Sequence, residues 1–248
     1  MNKLKIYMGF DSRERLAYDV ARKSILRRSS MPKRTEVYPL ELNVLKERGI
    51  LTRPVLPTKE GGLFDPISNA PMATEFAISR FAVPLLQKKG WALFVDCDIV
   101  CLADITELFA LAKIQYAVMV VKHQLAAVAD GTTKMDNQPQ TNYPRKNWSS
   151  VVLWNCAHPA HEGLTKTDPI NLWPGRDLHA FKWLKDEEIG ELPAEWNHLV
   201  GVSPDGPAKI LHYTLGGPWF KTWKGGPKDD VWINEAKATT SYGDSNQQ

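Results

Sequence analysis

Apolar positions in this chain fall into short runs separated by polar, glycine- and proline-containing stretches, a pattern that predicts alternating strands and helices. Leu4-Lys5-Ile6-Tyr7-Met8-Gly9-Phe10 alternates as a strand and stops at Asp11-Ser12-Arg13-Glu14. Leu16, Val20, Ile25 and Leu26 then give a helix its apolar face through about Ser29. Thr35 to Leu40 reads as a second strand, and the polar, proline-rich region from Arg53 to Pro71 as a long connection of the kind that forms functional loops. Phe76, Ala77, Phe81, Val83, Leu85 and Leu86 predict a helix interrupted by Pro84 and ended by Lys88-Lys89-Gly90. Leu93-Phe94-Val95 is a short apolar run suited to a strand buried on both faces. Beyond it the pattern predicts a capped helix at 104–109, a buried strand at 116–121, a loop at 130–147, a strand at 147–155, a helix at 175–184 and a strand at 208–214. The polar tail from about Lys224 is expected to fray.

The buried run at Leu93 ends in Asp96-Cys97-Asp98. Ligands of open α/β sheets collect outside the carboxyl ends of strands, so these carboxylates fall where a site belongs. Two carboxylates so close repel, and the usual remedies are a shared divalent cation or, more blandly, a capping role. His212, near the end of its strand, is a structural hydrogen-bonding residue or a third ligand. Carboxylate, carboxylate and imidazole suit manganese, with magnesium acceptable. Zinc suits the set less well, because Cys97 should point to the opposite face of an extended segment. Gly216-Gly217 offers backbone N–H groups to an anion, and Lys221 a charge. Arg80 is a paired structural charge or a phosphate clamp. Gly9 admits a ligand close to the backbone, while Asp11 accepts from a nucleoside or caps the helix after it.

Composition narrows the class. With 248 residues, 43% hydrophobic and 24% charged, the chain suits one large domain or two closely packed lobes. A net charge of +3 is too small to argue for nucleic acid. Arg22, Lys23, Arg27, Arg28, Lys33 and Arg34 read as a solvated helix face or, alternatively, a peripheral contact with an anionic membrane. Three cysteines in apolar surroundings suit reduced thiols, and no run has transmembrane length, so a soluble cytoplasmic protein is expected.

A strand followed by D-x-D, an Arg80-bearing helix upstream, and the late segment His212-Tyr213-Thr214…Gly216…Pro218-Trp219 together resemble the nucleotide-sugar glycosyltransferases of the GT-A fold. The resemblance is to the retaining family-8 group in particular, which includes glycogenin and bacterial galactosyltransferases, and it covers most of residues 4 to 223. It implies an α/β, Rossmann-like mixed sheet flanked by helices in a single large domain (1–223), with a donor half at about 1–102 and an acceptor half at about 103–223. A flexible tail, 224–248, would follow. By the resemblance Asp96, Asp98 and His212 ligate the metal and Arg80 contacts the donor. Tyr7, Gly9, Phe10 and Asp11 line the nucleoside pocket. Uridine diphosphate is the usual donor nucleotide, and a saccharide or other hydroxyl compound the acceptor.

The chain departs from that pattern in three places. Trp148-Ser149-Ser150 stands where the family commonly has Asn-Ala-Gly, the later Gln-Asp pair has Arg176-Asp177 as its nearest equivalent, and Gly217 occupies the place of a phosphate-binding lysine. Lys221 is the candidate replacement, and Asp98 and Asp177 are the catalytic candidates. Glu195 and Asp205 are polar candidates in the acceptor half. Two other readings share these residues. A non-catalytic carbohydrate- or nucleotide-binding protein would use Trp148, Trp154, Trp196 and Trp219 as stacking surfaces. A metal-dependent nucleotidyltransferase would show an early phosphate loop, which Phe10-Asp11-Ser12-Arg13 does not resemble.

Overall fold

The computed structural model describes residues 3–59, 61–124 and 145–244. Most of the loop expected at 130–147 lies outside them. In chain order the strands are β1 (Leu4–Gly9), β2 (Thr35–Leu40), β3 (Leu56–Pro57), β4 (Leu63–Asp65), β5 (Ala70–Met72), β6 (Trp91–Val95), β7 (Ile99–Cys101), β8 (Val118–Val120), β9 (Val151–Asn155), β10 (Ile189–Glu191), β11 (His198–Leu199) and β12 (Ile210–His212). The helices are α1 (Arg15–Arg28), α2 (Leu42–Glu47), α3 (Val83–Gln87), α4 (Ile105–Ala110), α5 (Glu162–Lys166), α6 (Pro169–Leu172), α7 (Gly175–His179) and α8 (Asp229–Asp244).

Six strands form the main sheet in the order β10-β8-β9-β6-β1-β2. It is mixed: β1 runs parallel to β2 and β6, whereas β9 is antiparallel to both β6 and β8. Ala92 through Val95 and Val151 through Leu153 are all essentially buried, as a central strand covered on both faces requires. Each of the larger side chains among them contributes roughly 1.5–3 kcal/mol on transfer from water. A second sheet, β11-β12-β7, begins where the first ends, because the chain leaves β6 at Val95, crosses Asp96-Cys97-Asp98 and enters β7. Helix α1 packs on β7, and the backbone N–H of Cys101 donates to the Ser24 hydroxyl at 2.9 Å. Cys97, Cys101 and Cys156 are buried free thiols, and burial raises the pKa of each.

Three expectations are corrected. The long connection holds a small antiparallel sheet, β3-β4-β5, anchored by a buried ion pair between Arg53 and Asp65 at 2.5 Å. The helix expected from Thr74 shortens to a 3-10 turn (Ser79–Ala82) and the five residues of α3. The tail, expected to fray, carries α8, which docks on α1: Glu235, 4% exposed, accepts from Arg27 at 2.5 Å and Arg28 at 2.8 Å, and Lys23 donates to the Thr239 carbonyl. Half of the basic cluster is therefore engaged in holding the C-terminal helix. No helix of the described residues is long and apolar enough to cross a membrane.

Candidate active site

Strand pairing closes the site. β12 runs antiparallel to β7 with His212 opposite Ile99, and the Tyr213 N–H donates to the Asp98 carbonyl at 2.9 Å. The ladder therefore carries a distant histidine to the D-x-D segment. His212 Nε2 lies 3.2 Å from Asp98 Oδ1 and 3.9 Å from Asp96 Oδ2, and one ligand atom from each of the three residues lies within 4.8 Å of the others. The Asp96 N–H donates to the Ser150 carbonyl at 3.0 Å, which ties the first aspartate to the turn preceding β9.

Electrostatics favour a cation here. Burial pushes the Asp96 carboxyl up to about 6; the Arg80 guanidinium opposes that shift and Asp98 adds to it. Glu14, half-buried, is pushed up to about 8 by burial and by the charges of Asp98 and Asp11. Three carboxyl groups thus share one region, where ionisation of each makes ionisation of the next costlier. A mixed oxygen and nitrogen set, with two carboxylates from the β6–β7 connection and an imidazole from the end of β12, fits manganese or magnesium. Cys97 stays out of the set, donating instead to Glu14 at 3.3 Å.

These residues line a cleft of about 210 Å³ together with Thr74, Phe76, Arg80, Ser149, His179 and Gly216. A second cavity of about 940 Å³ shares Asn147, Thr214 and Leu215 with it and is lined by Lys122, Lys146, Glu191, Glu195, His198 and Asp205. Glu195 and Asp205 thus meet in one cavity beside the metal candidates.

The other sequence candidates separate into those that reach the cleft and those that support it. Arg80 Nη1 pairs with Asp96 Oδ1 at 2.9 Å and donates to the Ser149 carbonyl at 3.0 Å; its guanidinium sits over the rings of Phe76 and Phe94. Of its two sequence readings, the paired charge is the one on display. Asp11 has no exposed surface and accepts four bonds: from the backbone N–H, Nε and Nη2 of Arg13 and from the Glu75 N–H. A carboxylate so saturated is a cap and a brace rather than a nucleoside acceptor. Gly9 makes room for Phe76, whose ring carbon would stand 2.3 Å from an added Cβ. Tyr7 stacks on Tyr38 at 5.6 Å and Phe10 packs edge-on against Tyr18 at 5.3 Å, and neither lines the cleft.

Gly216, with φ of +101°, lines the cleft, whereas Gly217 backs onto Trp219, whose ring would stand 2.2 Å from an added Cβ. Lys221 is exposed and lies outside the cleft lining. Asp177 pairs with Lys182 at 2.8 Å; the residue that α7 supplies to the cleft is His179, whose Nδ1 lies 2.7 Å from the Ser149 hydroxyl. Pattern reading passed over Glu14, His179 and Asn197, none of which has a local signature. Trp154 and Trp196 are fully enclosed, Trp219 packs on Tyr213 and Trp232, and the Trp148 ring contacts the cations of Lys122 and Arg145. None of these four indoles lines the cleft.

No family model matches the chain. Among solved structures, the glycosyltransferase GlyE of Streptococcus pneumoniae TIGR4 superposes with a TM-score of 0.59 at 14% identity, over 100% of this chain and 64% of that one. This chain therefore spans less than two thirds of the length of GlyE. The galactosyltransferase LgtC, solved with donor and acceptor sugar analogues, gives 0.52 at 11% identity over 95% and 96% of the two chains. Mouse xyloside xylosyltransferase 1 gives 0.51 at 14% identity over 87% and 100%. These likenesses establish the GT-A fold. In sequence, Protein CDI of Arabidopsis thaliana is 44% identical over 238 residues, which cover 93% of this chain and 85% of that protein, and the chain belongs to the family of that protein.

Proposed function

We propose that this chain is a metal-dependent glycosyltransferase of the GT-A type that moves a sugar from a nucleoside diphosphate sugar, a UDP-sugar, to an acceptor hydroxyl with retention at the anomeric carbon. The observation that carries the reading is the convergence of Asp96, Asp98 and His212 within 4.8 Å at the end of a buried central strand. The same fold in GlyE, LgtC and xyloside xylosyltransferase 1, all glycosyltransferases, supports it.

The chemistry sets the demands. Breaking the bond between an anomeric carbon and a diphosphate develops positive charge on the sugar ring and negative charge on the leaving group. Asp96, Asp98 and His212 would hold a manganese or magnesium ion, which when bound would supply positive charge to neutralise the departing diphosphate. Arg80 keeps Asp96 aimed into the cleft and supplies a fixed positive charge where the two carboxylates crowd. Gly216 presents bare backbone to the cleft wall. His179 and Ser149 form a hydrogen-bonded pair on the wall of the same cleft, suited to meeting sugar hydroxyls. The larger cavity, which shares Asn147, Thr214 and Leu215 with the cleft wall, suits the acceptor.

The test is incubation with a panel of nucleotide sugars and manganese, measuring nucleoside diphosphate against monophosphate. Diphosphate release that requires the metal supports glycosyl transfer or donor hydrolysis, and transfer to an added acceptor separates those two. Sugar-1-phosphate chemistry gives a different product and would contradict the reading. Donor binding without turnover would leave a binding protein of the same fold.

A further inference from the structure

His212 is held from behind by a short chain of hydrogen bonds. Its Nδ1 lies 2.9 Å from Oδ1 of Asn197, a residue with no exposed surface in the 3-10 turn Ala194–Asn197. The Asn197 amide nitrogen donates to the Ser150 hydroxyl at 2.9 Å, and that hydroxyl donates to the Asn147 carbonyl at 2.8 Å. The direction of this chain is fixed at its far end. A carbonyl has no proton to give, so the Ser150 proton is committed to Asn147 and the Ser150 oxygen is an acceptor for Asn197. Asn197 must then turn its NH2 toward Ser150 and its oxygen toward His212.

An oxygen facing Nδ1 requires a proton on Nδ1. The neutral imidazole therefore carries its lone pair on Nε2, the nitrogen that faces Asp98 and Asp96. Ser150 also accepts from the Asp96 N–H through its carbonyl. One residue thus touches both halves of the ligand set, the D-x-D backbone directly and the histidine through Asn197.

We propose that Asn197, anchored by Ser150, is a positioning residue that fixes His212 in the Nδ1–H tautomer and presents Nε2 to a divalent cation held with Asp96 and Asp98. The inference rests on the metal site of the proposed function. A partner behind a ligating imidazole sets its orientation and raises its basicity, and loss of such partners typically weakens metal binding by about 10–100-fold.

The experiment is a titration of the purified full chain with Mn2+ alone, following the free ion by electron paramagnetic resonance, on wild type, Asn197→Ala, Asn197→Asp and His212→Ala. A thermal melt of each variant gives its folded fraction. Asn197→Ala should weaken Mn2+ binding by about 10–100-fold per folded molecule. Asn197→Asp keeps an acceptor for Nδ1–H and should bind within about threefold of wild type or more tightly. His212→Ala should lose at least as much affinity as Asn197→Ala. A purely structural asparagine would lower the melting temperature of both Asn197 variants and leave Mn2+ affinity unchanged; that result, with His212→Ala impaired, overturns the relay and spares the metal site. Equal losses in Asn197→Ala and Asn197→Asp also overturn it. Wild-type affinity in His212→Ala removes the histidine from the metal site, and the relay with it.

Discussion

His212 Nε2 stands 3.2 Å from Asp98 Oδ1, although the two residues lie far apart in the sequence; the β7-β12 ladder brings them together. The D-x-D segment bridges the two sheets, so its carboxylates sit at a seam that neither sheet could form by itself.

The first prediction concerns the aspartate nearest the histidine. Asp98→Asn keeps the shape of the side chain and removes its charge, so the fold should persist. Mn2+ affinity should fall by more than the roughly 10–100-fold typical of an outer-shell partner, and metal-dependent turnover with it. Calorimetry with Mn2+ beside a thermal melt checks both; an unchanged affinity would contradict the assignment.

Glu14 gives a prediction in pH. Its folded pKa is raised to about 8 from an ordinary 4.5, so its stabilising protonated form is fully present below about 4.5 and that stability is lost as pH rises through about 8. Glu14→Gln cannot ionise and escapes the loss. In metal-free protein the variant should gain on wild type steadily between pH 4.5 and 8, by roughly 2–4 °C in melting temperature for each kcal/mol that wild type loses, and then hold a constant lead. Parallel melting curves across that range would mean that Glu14 ionises freely in the fold.

Asp11 separates a brace from a nucleoside contact. Asp11→Ala removes the acceptor of four hydrogen bonds and should cost about 2–4 kcal/mol in denaturant unfolding. Uridine diphosphate binding per folded molecule should change little. A variant of wild-type stability that no longer binds the nucleotide would restore Asp11 to the nucleoside pocket.

The glycine turn should respond unequally. Gly217→Val drives a side chain into Trp219, which packs at 5.5 Å on Trp232 of α8, so it should lower the melting temperature and loosen the C-terminal helix. Hydrogen exchange across residues 229–239 should rise. Lys221→Ala, at an exposed position outside the cleft, should leave both stability and diphosphate binding unchanged.

Sequence reading reached the centre of the site because local pattern encodes it. An apolar run ending in two aspartates is both a buried strand and its exit, and β6 with Asp96 and Asp98 is that. His212 was legible as a candidate from its place near a strand end beside a glycine turn, but its pairing with the aspartates was not, since no periodicity reports that β12 pairs with β7. The small sheet stayed hidden because β3, β4 and β5 have two or three residues each, and prolines at 57 and 71 argue against strands. Helix α8 was read as frayed because its sequence is polar; what orders it is tertiary, the burial of Trp232 and the docking of Glu235 on Arg27 and Arg28. Asn197, a small polar residue between Trp196 and His198, has no signature until the fold buries it behind the histidine.

The central claim is that Asp96, Asp98 and His212 hold a divalent cation at the diphosphate of the donor. Crystals grown with Mn2+ and uridine diphosphate, measured at the manganese absorption edge, test it directly. The account predicts one anomalous peak within about 2.5 Å of a carboxylate oxygen of each aspartate and of His212 Nε2, with diphosphate oxygens completing the shell. A peak bound elsewhere, or nucleotide bound in the cleft with no peak between these three side chains, would contradict it.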